Sequence, residues 1–245
     1  MHFSLLGICL DRKRFRRGSH NAPYELRNVF SQLETFINGV DLQTHGWFRD
    51  LGNILPKKYE EMVQEIKIKL QDGFPIILGG DHSITYPAVK AIEPKVFVTF
   101  DAHPDCENEN LCFLSVSRKI AEDGFKTYIY GARCFSKAEW DFINNDDRVK
   151  IATLEDLKAI NEPTYLSIDF DVLDSSIMPA VAIPEPNGLT FNQVLEGIRA
   201  LAKNLMAVDF VEFLPTDNVS YTLIAGKLIY STLAEIVKAK LSNGR

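Results

Sequence analysis

Three short segments of this 245-residue chain concentrate side chains able to hold a cation. Asp101, His103 and Asp105 alternate in FDAHPD, Asp169 and Asp171 alternate in SIDFDVLD, and His82 follows the glycine pair of GGDHS. Side chains two apart in an extended segment point the same way, so each group is expected to face one space. Taken singly, each has an ordinary alternative: GGDHS reads as a turn with a capping aspartate, and DFDVLD as a solvated acidic turn. Taken together they call for a ligand, because carboxylates gathered where water is partly excluded repel one another and lose hydration. A divalent cation offsets both costs. Oxygen and imidazole donors without a thiolate cluster suit manganese or a similar ion better than structural zinc.

Other chemistries lack their signatures. DFDVLDSSIMPA has neither the central glycine nor the terminal glutamate of a calcium-binding EF-hand loop. A GxxxxGK[ST] phosphate loop and a GxGxxG fingerprint are both absent. A two-metal phosphoesterase would show DxH first, then GD and GNH, whereas here GGDH precedes DAH and no GNH follows.

The elements that must position these groups follow from hydrophobic pattern. Residues 3–8, 75–78, 96–100, 127–130, 164–170 and 207–213 are short apolar runs rich in β-branched or aromatic residues, as in strands buried on both faces. Helical spacing marks Glu25 to Phe36 and Pro56 to Gln71, where Tyr59, Met62, Ile66 and Leu70 share a face and Gly73 stands at a stop. SKAEWDFI opens with Ser136 and Glu139 at capping-box spacing, and residues 220–240 carry a long apolar stripe. This alternation predicts an α/β fold, a mainly parallel sheet covered by helices on both faces, in a single domain spanning 1–245. In such a sheet a ligand sits beyond the carboxyl ends of the strands, where the three motifs lie.

Composition narrows the partners. Hydrophobic residues at 46% and charged residues at 24% describe a globular chain, and a net charge of −6 disfavours nonspecific nucleic-acid binding. The basic run DRKRFRRG, residues 11–18, reads as a solvated loop. FSLLGICL has no preceding positive region and no small-residue cleavage site, no run reaches membrane-spanning length, and Cys9, Cys106, Cys112 and Cys134 form no CxxC pair. The expectation is a cytoplasmic protein with no membrane or nucleic-acid partner.

At the motif residues the chain resembles the ureohydrolase family of arginase, agmatinase and formimidoylglutamase. GGDHS, FDAHPD and SIDFDVLD resemble its three metal motifs in the family's order, VDFVEFLP its downstream acidic motif, and LGICLD with RRGSHNAPYELR its N-terminal segment. The likeness extends through YGARCFSKAE and TLIAGKLI, over nearly the whole chain. It implies a three-layer α/β/α fold and two manganese ions sharing a nucleophilic hydroxide. By resemblance His82, Asp101, Asp105 and Asp169 would hold one ion, and Asp101, His103, Asp169 and Asp171 the other. Asp105 would also take a proton from the nucleophile, and Glu212 would receive the planar guanidinium. DAHPD and PEPNG are worded most like agmatinase, which implies agmatine hydrolysis to putrescine and urea, a step of polyamine metabolism, in a trimer or hexamer.

Two segments depart from the family pattern. Aligning its SHAxVxRRI with CFLSVSRKI puts Phe113 where a proton-shuttling histidine stands, and MPAVAIPEPNG replaces an APGTGTPEPGG-like run, so Ala180 to Ile183 make that wall more apolar. Ser175 also replaces a proline after DVLD, which reads as local repacking. Two classes of function therefore stand side by side. One is a dimanganese hydrolase of agmatine or another guanidino or formimino compound; the other is a metal-binding relative without hydrolase activity. His20 and His45 are not assigned to the site.

Overall fold

The structure, a computed structural model, describes residues 2–12 and 15–242, apart from the side chain of Trp47. In chain order its elements are β1 (His2–Ile8), α1 (Ala22–Phe30), β2 (Phe36–Ile37), β3 (Val40–Asp41), α2 (Leu42–His45), β4 (Trp47–Ile54), α3 (Tyr59–Lys69), β5 (Phe74–Leu78), α4 (Thr85–Ile92) and β6 (Val96–Phe100). There follow α5 (Val116–Glu122), β7 (Lys126–Tyr130), α6 (Lys137–Asn145), β8 (Val149–Ala152), α7 (Leu154–Ala159), β9 (Thr164–Asp169), α8 (Phe191–Leu201), β10 (Leu205–Val211) and α9 (Val219–Ser242).

Eight strands make one sheet in the order β4-β1-β5-β10-β9-β6-β7-β8, and every neighbouring pair is parallel. Strand side chains alternate between two buried faces. Leu5, Leu78, Val98, Ile168 and Phe210 pack on one side with Leu26, Leu157, Ile198 and Leu228 from α1, α7, α8 and α9. Leu6, Ile77, Phe97, Tyr165 and Val211 pack on the other with Met62, Val89 and Ile120 from α3, α4 and α5. The result is the expected three-layer α/β/α architecture. Among the described residues no helix is long and apolar enough to cross a membrane.

The chain passes from β5 to β6 across two vacant positions that β10 and β9 fill last. Strand order therefore reverses at the centre of the sheet, where a crevice opens at the carboxyl ends. Register makes that end level: Leu78, Phe210, Ile168 and Phe100 lie in one line across β5, β10, β9 and β6. One residue further stand Gly79, Val211, Asp169 and Asp101.

Three local expectations are corrected. The helix expected from Glu25 to Phe36 ends at Phe30, because Asn38 and Gly39 take φ of 50° and 83° and fold Phe36–Ile37 back on Val40–Asp41 as a hairpin. Asn-Gly is the usual signal for that turn. The strand expected over 207–213 stops at Val211, so Glu212 lies beyond the ladder. β4 and β8, both edge strands, escape a search for apolar runs because WFRDLGNI and VKIA carry polar side chains toward solvent.

Gly80 is the tightest of the backbone approaches at the crevice. Its carbonyl accepts the Glu212 N–H at 2.9 Å, Asp81 N–H donates to Leu10 O at 2.8 Å, and a Cβ on Gly80 would stand 1.8 Å from that same Leu10 oxygen. Gly80→Ala is expected to cost about 3 kcal/mol in a denaturant titration, since the backbone must part to admit the methyl group. An unchanged midpoint would contradict this packing.

Candidate metal centre at the carboxyl end of the sheet

Local hydrogen bonds, rather than strand alternation, turn the acidic side chains inward. Beyond β6 the chain is no longer extended: Asp101 Oδ1 accepts the His103 N–H at 2.7 Å. Phe170–Val172 is a short 3-10 turn in which Asp169 Oδ1 accepts the Asp171 N–H at 2.8 Å. The two-apart reading of these motifs is thus incomplete in its geometry; aspartate-capped turns bring the side chains together. Asp171 Oδ1 in turn accepts the Ala102 N–H at 2.9 Å, joining the ends of β6 and β9. Asp81 fills the ordinary capping role, accepting from Ser83 N at 3.0 Å, and the next residue, His82, is the one aimed into the cluster.

Asp105 and Glu212 have left-handed backbones, with φ of 50° and 67°. Such conformations are costly outside glycine, of order 1–3 kcal/mol each, and persist where surrounding structure over-determines them. Here it does. Glu139, the third residue of the capping box that opens α6, accepts both the Ser136 N–H at 2.9 Å and the Cys106 N–H at 3.0 Å, bracing the loop beside Asp105. Glu212 is held by its own N–H to Gly80 O and by the His82 N–H, which donates to its Oε1 at 2.8 Å.

The donor atoms gather as two overlapping groups, His82 with Asp101 and Asp169, and His103 with Asp101 and Asp171, each within 4.8 Å. His82 Nδ1 lies 3.0 Å from Asp101 Oδ2, 2.9 Å from Asp105 Oδ2 and 3.7 Å from Asp169 Oδ2. Yet neither His82 Nδ1 nor Asp101 Oδ2 makes a hydrogen bond, although both are buried from water. The other ring nitrogen explains why. His82 Nε2 is 3.1 Å from Ser167 Oγ, in a buried network where Thr85 Oγ1 and Tyr165 Oη each donate to Asp209 Oδ2 at 2.7 Å. A proton on Nε2, donated to Ser167, would leave a lone pair at Nδ1 toward the carboxylates, an arrangement that repels unless a cation stands between them. His103 Nδ1 faces Asp171 Oδ2 at 2.9 Å in the second group.

Electrostatics carry the same message. Burial and the charges of Asp171 and Asp105 push the Asp101 carboxyl up to about 8, and burial with Asp171, Asp101 and Glu212 drives Asp169 well above the carboxylate range. Burial opposes charge on the two histidines, but the adjacent carboxylates outweigh it, raising His82 well above its ordinary value and His103 to about 10. Asp171, though buried, is lowered by His103. Without a cation the cluster would recruit protons, so positive charge is what it lacks. Oxygen and imidazole donors of this kind fit a hard or borderline divalent ion.

Over this centre opens a narrow pocket of about 80 Å³. Its floor is Asp101, His103, Asp105, Asp169, Asp171 and Glu212; its walls are Phe15, Phe113, Leu114, Val181, Ala182 and Ile183. Phe113 and Val181 to Ile183 therefore border the site as the sequence pattern indicated, while Ala180 is buried behind them. His82 lies beneath the floor, 1% exposed. His20 and His45 do not line the pocket.

Phe15 is a wall residue that sequence reading missed. It belongs to the run taken as a solvated loop, and Arg16 from the same run donates to Ala182 O at 3.2 Å; Lys13 and Arg14 lie outside the described residues. Arg133 was also passed over. Its guanidinium donates to the carbonyls of Asp171 at 2.8 Å, Glu185 at 2.9 Å and Pro186 at 2.9 Å, clamping the two loops that border the site. A basic residue three positions past the end of β7, in YGARC, is the signal it leaves.

Known proteins match this chain along most of its length. A model of the arginase family matches residues 1–234. The N(1)-aminopropylagmatine ureohydrolase of Thermococcus kodakarensis is 33% identical over 265 residues, covering 96% of this chain and 91% of the relative. The agmatinase of Pyrococcus horikoshii is 31% identical over 230 residues, covering 85% and 81%. The crystal structure of the agmatine ureohydrolase of Thermoplasma volcanium superposes with a TM-score of 0.84 at 28% identity, covering 98% of this chain and 91% of that one.

A cation-holding cluster predicts metal-dependent stability. At 100-fold excess over its dissociation constant, one bound ion adds about 2.7 kcal/mol, which in a chain of this size raises the melting midpoint by roughly 5–10 °C. Mn²⁺ added to chelator-treated protein is expected to produce such a rise, and Asp101→Ala is expected to remove the response. Equal melting with and without the ion would contradict the assignment.

Proposed function

The chain belongs to the arginase family of metal-dependent hydrolases acting on guanidino or amidino C–N bonds, and from that premise we propose that it hydrolyses agmatine to putrescine and urea with two Mn²⁺ per subunit. His82, Asp101, Asp105 and Asp169 would hold one ion, and Asp101, His103, Asp169 and Asp171 the other. The observation that carries this reading is that His82 Nδ1 and Asp101 Oδ2, buried and 3.0 Å apart inside a ring of carboxylates, make no hydrogen bond. The agmatinase and the agmatine ureohydrolase among the relatives support the choice of agmatine, and the N(1)-aminopropylagmatine ureohydrolase supports a guanidino compound of that kind. On this reading the reaction belongs to cytoplasmic polyamine metabolism, and family membership supports a homo-oligomer, trimer or hexamer.

Bound divalent ions supply Lewis acidity, lowering the pKa of water and balancing the acidic floor. The chain's own groups do the rest. Glu212, fixed by the His82 N–H, offers its carboxylate to the planar guanidinium and brings the central carbon over the floor. Asp105 accepts the proton of the attacking water. The departing alkylamine, whose conjugate acid has a pKa of about 10.4, must be protonated as the C–N bond breaks, and Asp105 is the acid that can return the proton. Phe113 cannot donate one. Phe15, Phe113 and the aliphatic wall exclude water and flank the substrate's methylene chain.

Phe113 also favours the second reading, a metal-binding relative that does not turn over, because loss of a proton donor can cost about 10²- to 10⁴-fold. Urea release from agmatine and arginine by Mn²⁺-loaded protein separates the two. Agmatine is expected to be hydrolysed, with Glu212→Gln lowering kcat/KM by on the order of 10²-fold at unchanged metal content. Bound metal with no urea from either compound would overturn agmatine as the substrate and favour the non-hydrolytic reading instead.

A further inference from the structure

The imidazole of His103 has a second face that the hydrolytic reading leaves unused. Its Nδ1 lies against Asp171, and its Nε2 is 3.6 Å from Glu185 Oε1. A donor atom from each of His103, Cys134 and Glu185 lies within 4.8 Å of the others, and all three residues are partly exposed. Neither Cys134 nor Glu185 lines the pocket. We propose that His103 Nε2, Cys134 Sγ and the Glu185 carboxylate form a further metal site, outside the pocket, selective for a thiophilic divalent ion of the zinc class. The assignment needs none of the hydrolytic chemistry above.

Distances and anchoring both fit. Tetrahedral zinc with sulfur, nitrogen and oxygen donors places neighbouring ligand atoms roughly 3.4–3.6 Å apart. The His103–Glu185 edge already has that length, and the remaining edges, at most 4.8 Å, need close by no more than about 1.4 Å, within reach of partly exposed side chains. Backbone bonds hold the three ligands in place. Arg133 and Cys134 N–H groups both donate to Ala102 O, at 2.9 and 3.1 Å, beside His103, while the Arg133 guanidinium grips the Glu185 carbonyl. Three protein ligands with solvent access leave the fourth position to water, which makes an exchangeable site rather than a closed structural one.

Donor softness separates this site from the floor. The pocket cluster offers only carboxylate oxygens and imidazole, whereas the outer group contains a thiol, which as thiolate prefers zinc or cadmium over manganese. Binding breaks the Cys134 S–H bond, forms a metal–sulfur bond and releases the proton to buffer, with no change of oxidation state. Neutral His103 has one lone pair. Engaging Nε2 therefore draws the ring away from its Asp171 side or removes its remaining ring proton, so the outer ion opposes the inner one held through the same ring.

Cadmium reads this directly. Titrated into chelator-treated, reduced protein without substrate, Cd²⁺ is expected to produce an ultraviolet thiolate-to-cadmium charge-transfer band, and prior loading with Mn²⁺, which holds the same ring, is expected to weaken that binding. Cys134→Ser should abolish the band, Glu185→Gln should weaken binding at least about 10-fold, and Cys112→Ser, at the other half-exposed thiol, should leave it intact. The Mn²⁺-dependent melting rise of Cys134→Ser checks that the variant folds. Cadmium NMR of the wild-type protein supplies an independent readout, because its shift distinguishes one sulfur ligand from none. A band that survives Cys134→Ser, or a wild-type spectrum with no sulfur-bound cadmium, overturns the proposal. Because neither measurement uses turnover, absence of urea release leaves this test untouched.

Discussion

Mutual repulsion among buried carboxylates is the constraint around which this fold is organised. Asp101, Asp105, Asp169, Asp171 and Glu212 share one crevice, each no more than 6% exposed. Charges brought this close and this far from water need opposite charge between them, or else take up protons. The contact of His82 Nε2 with Ser167 Oγ goes the same way, since a proton held there would leave a lone pair rather than an N–H toward the acids. The strong upward push on Asp101 and Asp169 fits a candidate cation site better than a stabilising ion-pair network.

Holding such a cluster requires rigidity that the acids cannot supply themselves. Parallel register delivers Asp101 and Asp169 at one level, and aspartate-capped turns redirect the chain within two residues. Behind them, Arg133 ties three loop carbonyls together, Glu139 links a helix start to the Asp105 loop, and Asp209 anchors the buried hydroxyl network under His82. Left-handed backbone at Asp105 and Glu212 shows local preference yielding to this framework. Strain of this kind is kept at functional sites because adjacent packing leaves the chain no alternative.

The crevice divides its chemistry by depth. A charged floor meets apolar walls from three separate loops, so a cationic head group and a methylene chain would each find their own surroundings. Cys134 and Glu185 stand apart from that pocket, behind the ring of His103, so soft and hard donors are segregated even though one residue belongs to both groups.

Much of this was readable from residues alone. Apolar runs bounded by glycine marked the central strands, Ser136 and Glu139 marked a helix start, and the order of GGDHS, FDAHPD and SIDFDVLD with VDFVEFLP marked the acids, because strand burial, capping and ligand type are local properties written in residue identity. Features that depend on distant partners were not readable. Phe15 counted as solvated loop until the fold laid it over the pocket, Arg133 had no visible role until two loops met at its guanidinium, and the edge strands β4 and β8 took their conformation from neighbours rather than from an apolar pattern. Residue types determined which groups could bear charge; only the assembled sheet decided their spacing, their burial and the contact of His82 with Ser167, because each of these is set by atoms far away in the chain.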